Sequence, residues 1–156
     1  MKDNNENGDG VILLRGALEL ARRNAKNGEL IEYRQNRNAI ATAGRAWVLE
    51  RIRSGGATQT INAMAIGGST DGATTALSDE QDRKTIGTFT TTGLTSSTPY
   101  WLAAASWATD EGNTTLGEVG LFNSAAADGT MLARATFATI DKTSTNTLSI
   151  SYTLSN

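Results

Sequence analysis

The sequence predicts a mainly β protein: a jelly-roll-like β-sandwich with one packed helix and an N-terminal β-hairpin and arm. Three observations lead to this fold class. Residues 57–156 are rich in Thr, Ser, Gly and Ala and contain short β-prone runs separated by turn residues. The dipeptide Asn27-Gly28 separates two alternating segments, as in a hairpin. One segment, near 43–53, has apolar residues at helical spacing.

The chain of 156 residues has the length of one ordinary domain. We divide it into a flexible arm over 1–10, a hairpin extension over 11–37 and a sandwich over 38–156. The arm is polar and acidic, a composition typical of a flexible segment. No run approaches the roughly 20 apolar residues of a membrane span, and the polar start does not resemble a signal peptide. We therefore expect a protein that is made in a cytoplasm and does not bind membranes.

Residues 12–35 allow two interpretations. Five apolar residues fit a helical spacing: Leu13, Leu14, Ala17, Leu18 and Ala21. Four others alternate as they would in a strand: Ile12, Leu14, Leu18 and Leu20. We favour a hairpin of 12–23 with 30–37, because Asn and Gly tolerate the positive φ that a tight hairpin turn requires.

The helix predicted near 43–53 has a start signal, a periodic face and a stop signal. Thr42 is the expected N-cap. Apolar residues then recur at helical spacing at Ala43, Trp47, Val48 and Ile52. The glycines of Ser54-Gly55-Gly56 end the helix, since glycine adopts the left-handed C-terminal conformation easily.

Six further runs predict strands, at 61–66, 83–92, 100–108, 117–122, 131–139 and 147–154. The last run alternates most clearly, with Leu148, Ile150, Tyr152 and Leu154 on one face and hydroxyl residues on the other. Such alternation indicates a strand with one face in the core and one in water. Several short strands at this spacing predict a sandwich or barrel.

The composition argues against catalysis. The chain has no cysteine and no histidine, so disulfides, thiol nucleophiles and the commonest general base and metal ligand are unavailable. We therefore expect no enzyme activity, no catalytic residue, no cofactor and no metal. The acidic loop 110–113 lacks the spacing of a calcium loop, and the glycine-rich segment 67–72 lacks the Gly-Lys-Ser/Thr of a phosphate loop.

The charge is unevenly distributed along the chain. Residues 1–53 carry ten Lys/Arg and seven Asp/Glu, a net +3, whereas residues 54–156 carry four and nine, a net −5. Basic residues cluster on the proposed hairpin, where we expect a protein interface formed by Met1, Lys2, Arg15, Arg22, Arg23, Lys26, Arg34 and Arg37. Nucleic acid is the less favoured partner, because only Tyr33 is available there for base stacking.

Two ion pairs are expected to be structural. Glu118 and Arg134 lie on runs that would be neighbouring strands of a sandwich, and buried charges are normally paired. Glu80 and Arg83 are three residues apart, a separation at which side chains can meet.

A succession of motifs carries a resemblance to a known family. The motifs are Asn38-x-Ile40-x-x-x-Gly44-Arg45, Ala-Ile-Gly-Gly at 65–68, Thr75-x-Leu77-x-x-Glu80-x-x-Arg83, Glu-Val-Gly-Leu-Phe-Asn at 118–123, Asp-Gly-Thr-Met-Leu-Ala-Arg-Ala-Thr-Phe at 128–137, and Lys142-Thr143 leading to the alternating end at 154. Together they resemble a family of bacteriophage virion structural proteins, found among capsid decoration (cement) and tail-associated components. The resemblance covers about 38–156.

The resemblance implies a virion protein, and two locations stay open. The short chain favours a capsid decoration protein, a homo-oligomer (expected trimer) that binds the major capsid protein and stabilises the assembled head. The alternative is a tail fibre, collar or baseplate component that binds tail proteins. A glycan-binding module or a hydrolase using surface carboxylates is a third hypothesis, from a different class.

Overall fold

The computed structural model describes residues 15–40, 44, 46, 60–70, 76–92 and 100–155. These residues form nine β-strands. They are β1 (Arg15–Asn24), β2 (Leu30–Ile40), β3 (Ala63–Gly67), β4 (Glu80–Thr85), β5 (Thr88–Thr92), β6 (Tyr100–Trp107), β7 (Thr115–Phe122), β8 (Met131–Asp141) and β9 (Asn146–Ser155). The mainly β prediction is confirmed.

The strands form two four-stranded antiparallel sheets connected through β2. One sheet has the order β4-β3-β7-β8 and the other β1-β9-β6-β5, so that the hydrogen-bonded order is continuous across all nine strands. Most of β2 pairs with β1, whereas Ala39 and Ile40 at its end pair with β8. This strand order does not confirm the jelly-roll arrangement.

The two sheets share one hydrophobic core. Its largest side chains alternate along their strands, so that one face of each strand enters the core. The cluster draws from both sheets, including Leu18, Leu20, Trp107, Leu148, Ile150 and Tyr152 from one and Met64, Ile66, Val119, Leu121, Ala135 and Phe137 from the other. A second, smaller cluster on the opposite face of β3 consists of Ala63, Ala65, Leu77, Phe122 and Met131.

The N-terminal hairpin forms as the turn signal predicts, and its first strand is an interior strand that lies between β2 and β9. Gly28 has a φ of 72°, the left-handed conformation that glycine adopts without strain. β1 pairs along its full length with β9 and buries Leu18 and Leu20. The segment treated above as an extension over 11–37 therefore contributes, over its described residues, to the core.

The packed helix predicted over 43–53 is not seen. Of this range the structure describes only Gly44 and Ala46, each in helical conformation, and the other residues lie outside the described ranges. The arm over 1–10 lies outside them as well. Among the described residues no helix is long and apolar enough to cross a membrane.

The single strand predicted over 83–92 is wrong, because this segment contributes to both sheets. β4 and β5 lie at opposite ends of the strand order. Ile86 between them is buried in the core, and Gly87 is exposed. The chain crosses from one sheet to the other at these two residues, which the β-prone composition did not reveal.

Candidate docking surface

Two of the predicted interface arginines are used inside the protein. Glu32 accepts hydrogen bonds from Arg22 Nη2 at 3.1 Å and from Arg34 Nη2 at 2.5 Å, so one carboxylate serves both guanidinium groups. Arg22 Nη1 also donates to the carbonyl of Asp141, at the end of β8, at 2.7 Å. The contact with Asp141 connects the hairpin to the other sheet. Because the guanidinium of Arg22 is bound within the protein, it is not available to contact a partner.

The other described residues of the predicted interface are exposed: Arg15, Arg23, Lys26 and Arg37. Within the described part of the chain, none of the four forms an ion pair. Met1 and Lys2 lie outside the described residues. Two exposed carboxylates, Glu19 and Glu29, belong to the same hairpin, and each accepts a hydrogen bond from a neutral amide. Four cations and two carboxylates leave this part of the hairpin with a net charge of +2.

Large exposed apolar side chains accompany these cations. Among the described residues, the large hydrophobic side chains that are exposed are Leu30, Ile31 and Tyr33, at 46, 45 and 49% of their full surface. All three lie in β2, and the pairing of β1 with β2 has a bulge beside Arg23 and Leu30. Tyr33 lies opposite Ala21, a small residue that covers little of the ring.

We call these seven residues the docking surface: Arg15, Arg23, Lys26, Leu30, Ile31, Tyr33 and Arg37. Exposed apolar residues next to arginines are typical of protein interfaces, where Tyr and Arg contribute a large share of the binding energy. The outer face of β9 and β6 differs in character, since next to the half-buried Leu102 it carries small residues such as Ser149, Ser151, Thr153, Ala104 and Ser106. Ser and Ala are depleted in interfaces, and the docking surface is therefore the better candidate.

The structure brings Glu118 and Arg134 together, as the sequence analysis expected. Oε2 of the fully buried Glu118 accepts hydrogen bonds from Arg134 Nε at 2.8 Å and Nη2 at 2.6 Å. Oε1 accepts the backbone N–H of Asp79 at 3.1 Å. The carboxylate thereby joins β7, β8 and the loop before β4. Because its partners occupy both oxygens, the pair has a structural role in this geometry.

Arg83 and Glu80 also meet. Arg83 Nη2 lies 2.6 Å from Glu80 Oε2, and its Nη1 donates to the carbonyls of Ser124 and Ala126. The guanidinium lies 3.6 Å from the centre of the Phe122 ring, a cation–π contact. These contacts hold the loop that follows β7 against β4.

Two lysines hold the acidic loop between β6 and β7: Lys84, and Lys142, whose Nζ donates to the carbonyl of Ala108 and to Asn113 Oδ1. Lys84 Nζ lies 2.5 Å from Glu111 Oε2, which also accepts the backbone N–H of Ala108 at 2.7 Å. The hydrogen bond from Lys84 lowers the pKa of Glu111, and that from Ala108 adds to the effect. The described residues contain no cluster of acidic side chains suited to hold a metal ion.

The exposure of Leu30, Ile31 and Tyr33 and the burial of Lys142 were not predicted from the sequence. A signal for the first was present: Leu30 and Ile31 are adjacent, so strand alternation cannot direct both into one core. No comparable signal marked Lys142, which is 2% exposed. The comparisons with known proteins add no identity, since no family model, curated protein or solved structure matches this chain.

Proposed function

We propose that this chain is a non-enzymatic structural protein of a bacteriophage virion that decorates the assembled head. In this proposal the two sheets form a jelly-roll-like sandwich, and three copies associate around a symmetry position of the shell. The partner is the major capsid protein, and the protein reaches the virion from the host cytoplasm. The family resemblance carried by the motifs over 38–156 supports the virion, and the docking surface supports adhesion as the mode of action.

The observation that carries the proposal is the coincidence of apolar and cationic exposure on one hairpin. Burying Leu30, Ile31 and Tyr33 would supply apolar contact area, at about 25 cal/mol for each Å² removed from water. The four exposed cations would select an acidic partner surface and speed the encounter. The first strand of the hairpin, β1, is paired along its length with both β2 and β9, and a surface supported in this way loses little conformational entropy on binding.

The proposed mechanism is thermodynamic. A protein that binds only the assembled shell stabilises that state by mass action. Each contact need not be strong, because copies that engage several shell subunits at once gain effective concentration from the first contact. Chemistry on a substrate is not required for such a role, which agrees with the absence of histidine and cysteine from the sequence.

The test is occupancy of purified, undecorated heads by the Tyr33→Ala variant, measured by co-sedimentation. We expect the affinity for heads to fall at least tenfold, because a buried tyrosine contributes more than about 1.4 kcal/mol in such interfaces. The occupancy at a fixed protein concentration should fall accordingly. Ser149→Ala, on the outer face of β9, is the matched control and should bind as the wild type does.

The outcomes separate the proposal from its alternative. Wild-type binding to heads with unchanged binding by Tyr33→Ala would contradict the docking surface. Failure of the wild type to bind heads, together with binding to purified tails, would replace the decoration role by a tail, collar or baseplate role. Copy number in the virion gives an independent answer, because a shell takes hundreds of copies and a tail takes a small multiple of its symmetry.

A further inference from the structure

Lys142, directly after β8, is a buried lysine without a carboxylate partner among the described residues. It is 2% exposed, and its Nζ donates to the carbonyl of Ala108 at 2.6 Å and to Asn113 Oδ1 at 2.9 Å. Both acceptors are neutral oxygens. Burying an ammonium group without a paired carboxylate is costly. Burial therefore lowers the pKa of Lys142, and its neutral amine is more accessible than that of an exposed lysine.

The two hydrogen bonds do not require the charged form. A neutral lysine amine keeps two N–H donors, and two acceptors lie within hydrogen-bond distance of Nζ. Desolvation lowers the pKa of Lys142, while the negative charges of Glu111 and Asp110 oppose that shift in part. A neutral amine keeps its lone pair and is a nucleophile, as buried lysines in enzymes are.

The side-chain amide next to Lys142 Nζ is that of Asn113. Its carboxamide carbon is bonded to Oδ1, the atom that lies 2.9 Å from Lys142 Nζ. Nδ2 of the same amide donates to the carbonyl of Thr109 at 2.7 Å, which fixes the orientation of the group. Two reacting groups held at contact distance behave as if at very high concentration, which compensates for the low reactivity of an amide.

We propose that Lys142 and Asn113 form an intramolecular isopeptide bond in the mature protein. The lone pair of Nζ attacks Cγ of Asn113, a Nζ–Cγ bond forms and the Cγ–Nδ2 bond breaks. One proton passes from Nζ to Nδ2, and the nitrogen leaves as ammonia. The reaction needs no oxidant or reductant and changes no net proton count.

The bond would join the two ends of the β7–β8 hairpin. Asn113 lies just before β7 and Lys142 just after β8. A covalent bond at this point would keep the base of the hairpin closed. It would also stabilise the fold, because the cross-linked chain has less conformational freedom when it is unfolded. A cross-link of this kind withstands reducing conditions. It does not depend on where the protein acts, so that its test is independent of the docking proposal.

The test is the intact mass of the denatured full chain after the folded protein has been kept at mildly alkaline pH. We expect a mass lower than that of the sequence by one molecule of ammonia. Trypsin should then fail to cut after Lys142, and it should release a branched product that links the peptide containing Asn113 to the one containing Lys142. A folded protein with the full sequence mass would overturn the proposal.

Variants separate the isopeptide bond from other losses of ammonia. Asn113→Ala, at an exposed position, should keep the fold and the full mass. Lys142→Arg should also keep the full mass, whereas Lys84→Arg is the matched control and should still lose ammonia. A cyclic imide formed by Asn113 alone would lose the same mass, and persistence of the loss in Lys142→Arg would therefore refute the cross-link.

Discussion

Replacing Arg134 by Met tests whether the buried ion pair with Glu118 stabilises the fold. The substitution keeps an apolar stem of similar length but removes two of the three hydrogen bonds that Glu118 accepts. The carboxylate is fully buried, so it cannot recover these bonds from water without local opening. Breaking a buried pair by removing one partner costs about 3–5 kcal/mol. We expect a loss of about 3 kcal/mol in the free energy of unfolding.

Urea denaturation followed by tryptophan fluorescence measures this loss. With a slope of about 1–3 kcal/mol per M, the midpoint should fall by roughly 1–3 M. Arg34→Met is the matched control, because Arg34 also pairs with a carboxylate at 2.5 Å but keeps 41% of its side chain exposed. Exposed pairs contribute about 1 kcal/mol or less, and the control should shift the midpoint correspondingly little.

The double variant Glu118→Met/Arg134→Met completes the cycle. It removes both charges, so it should lose less stability than the two single variants together. Two results would refute the reasoning. One is a loss from Arg134→Met no larger than that from Arg34→Met. The other is full additivity in the double variant, which would mean that the two side chains stabilise the fold independently.

Three further predictions concern the turn, a tight contact and the acidic loop. Gly28→Ala should cost about 1 kcal/mol through backbone strain at φ 72°, and Gly87→Ala, which also has open space around it, should cost less in the same urea titration. Gly67→Ala should cost about 1–3 kcal/mol, since its Cβ would lie 2.5 Å from Glu118 Oε1 and 2.7 Å from the backbone oxygen of Asp79; wild-type stability would show that the loop moves freely. Glu111 has a lowered pKa in the folded state, so its contribution to stability is present above pH 4.5 and is lost as the pH falls through the folded pKa. The free energy of unfolding of Glu111→Gln should therefore decrease less than that of the wild type between neutral and acid pH. An equal decrease would contradict this assignment.

Local signals in the sequence predicted what depends on local geometry. The alternation of Leu148, Ile150 and Tyr152 identified β9 and its buried face, and Asn27-Gly28 identified the hairpin turn, because a period of two and a positive φ are properties of a few neighbouring residues. The meeting of Glu118 with Arg134 followed from one inference about which strands are neighbours. Each of these depends on at most one long-range assumption.

Features set by long-range pairing were not accessible in the same way. Whether β1 is an interior strand or an edge strand depends on its pairing with β9, which lies more than 100 residues away in the chain. The division of 83–92 between two sheets depends on the burial of Ile86 in the core between them. A β-prone composition does not distinguish one sheet from the other. Lys142 is buried because Ala108 and Asn113 come to it from another loop, and no local pattern marks a lysine for burial.

The charge balance of the hairpin decides which force would dominate binding at the docking surface. Arg22 and Arg34 share Glu32 and leave one positive charge unbalanced, and the remaining exposed charges sum to +2, so that the hairpin carries a net charge of only +3. This small net charge accelerates association but is screened within about 8–10 Å at physiological salt. The affinity must then come mainly from Leu30, Ile31 and Tyr33. Binding should therefore weaken only modestly as salt is raised and strongly when Tyr33 is removed. A steep salt dependence with a tolerant Tyr33 would point instead to a polyanion as the partner.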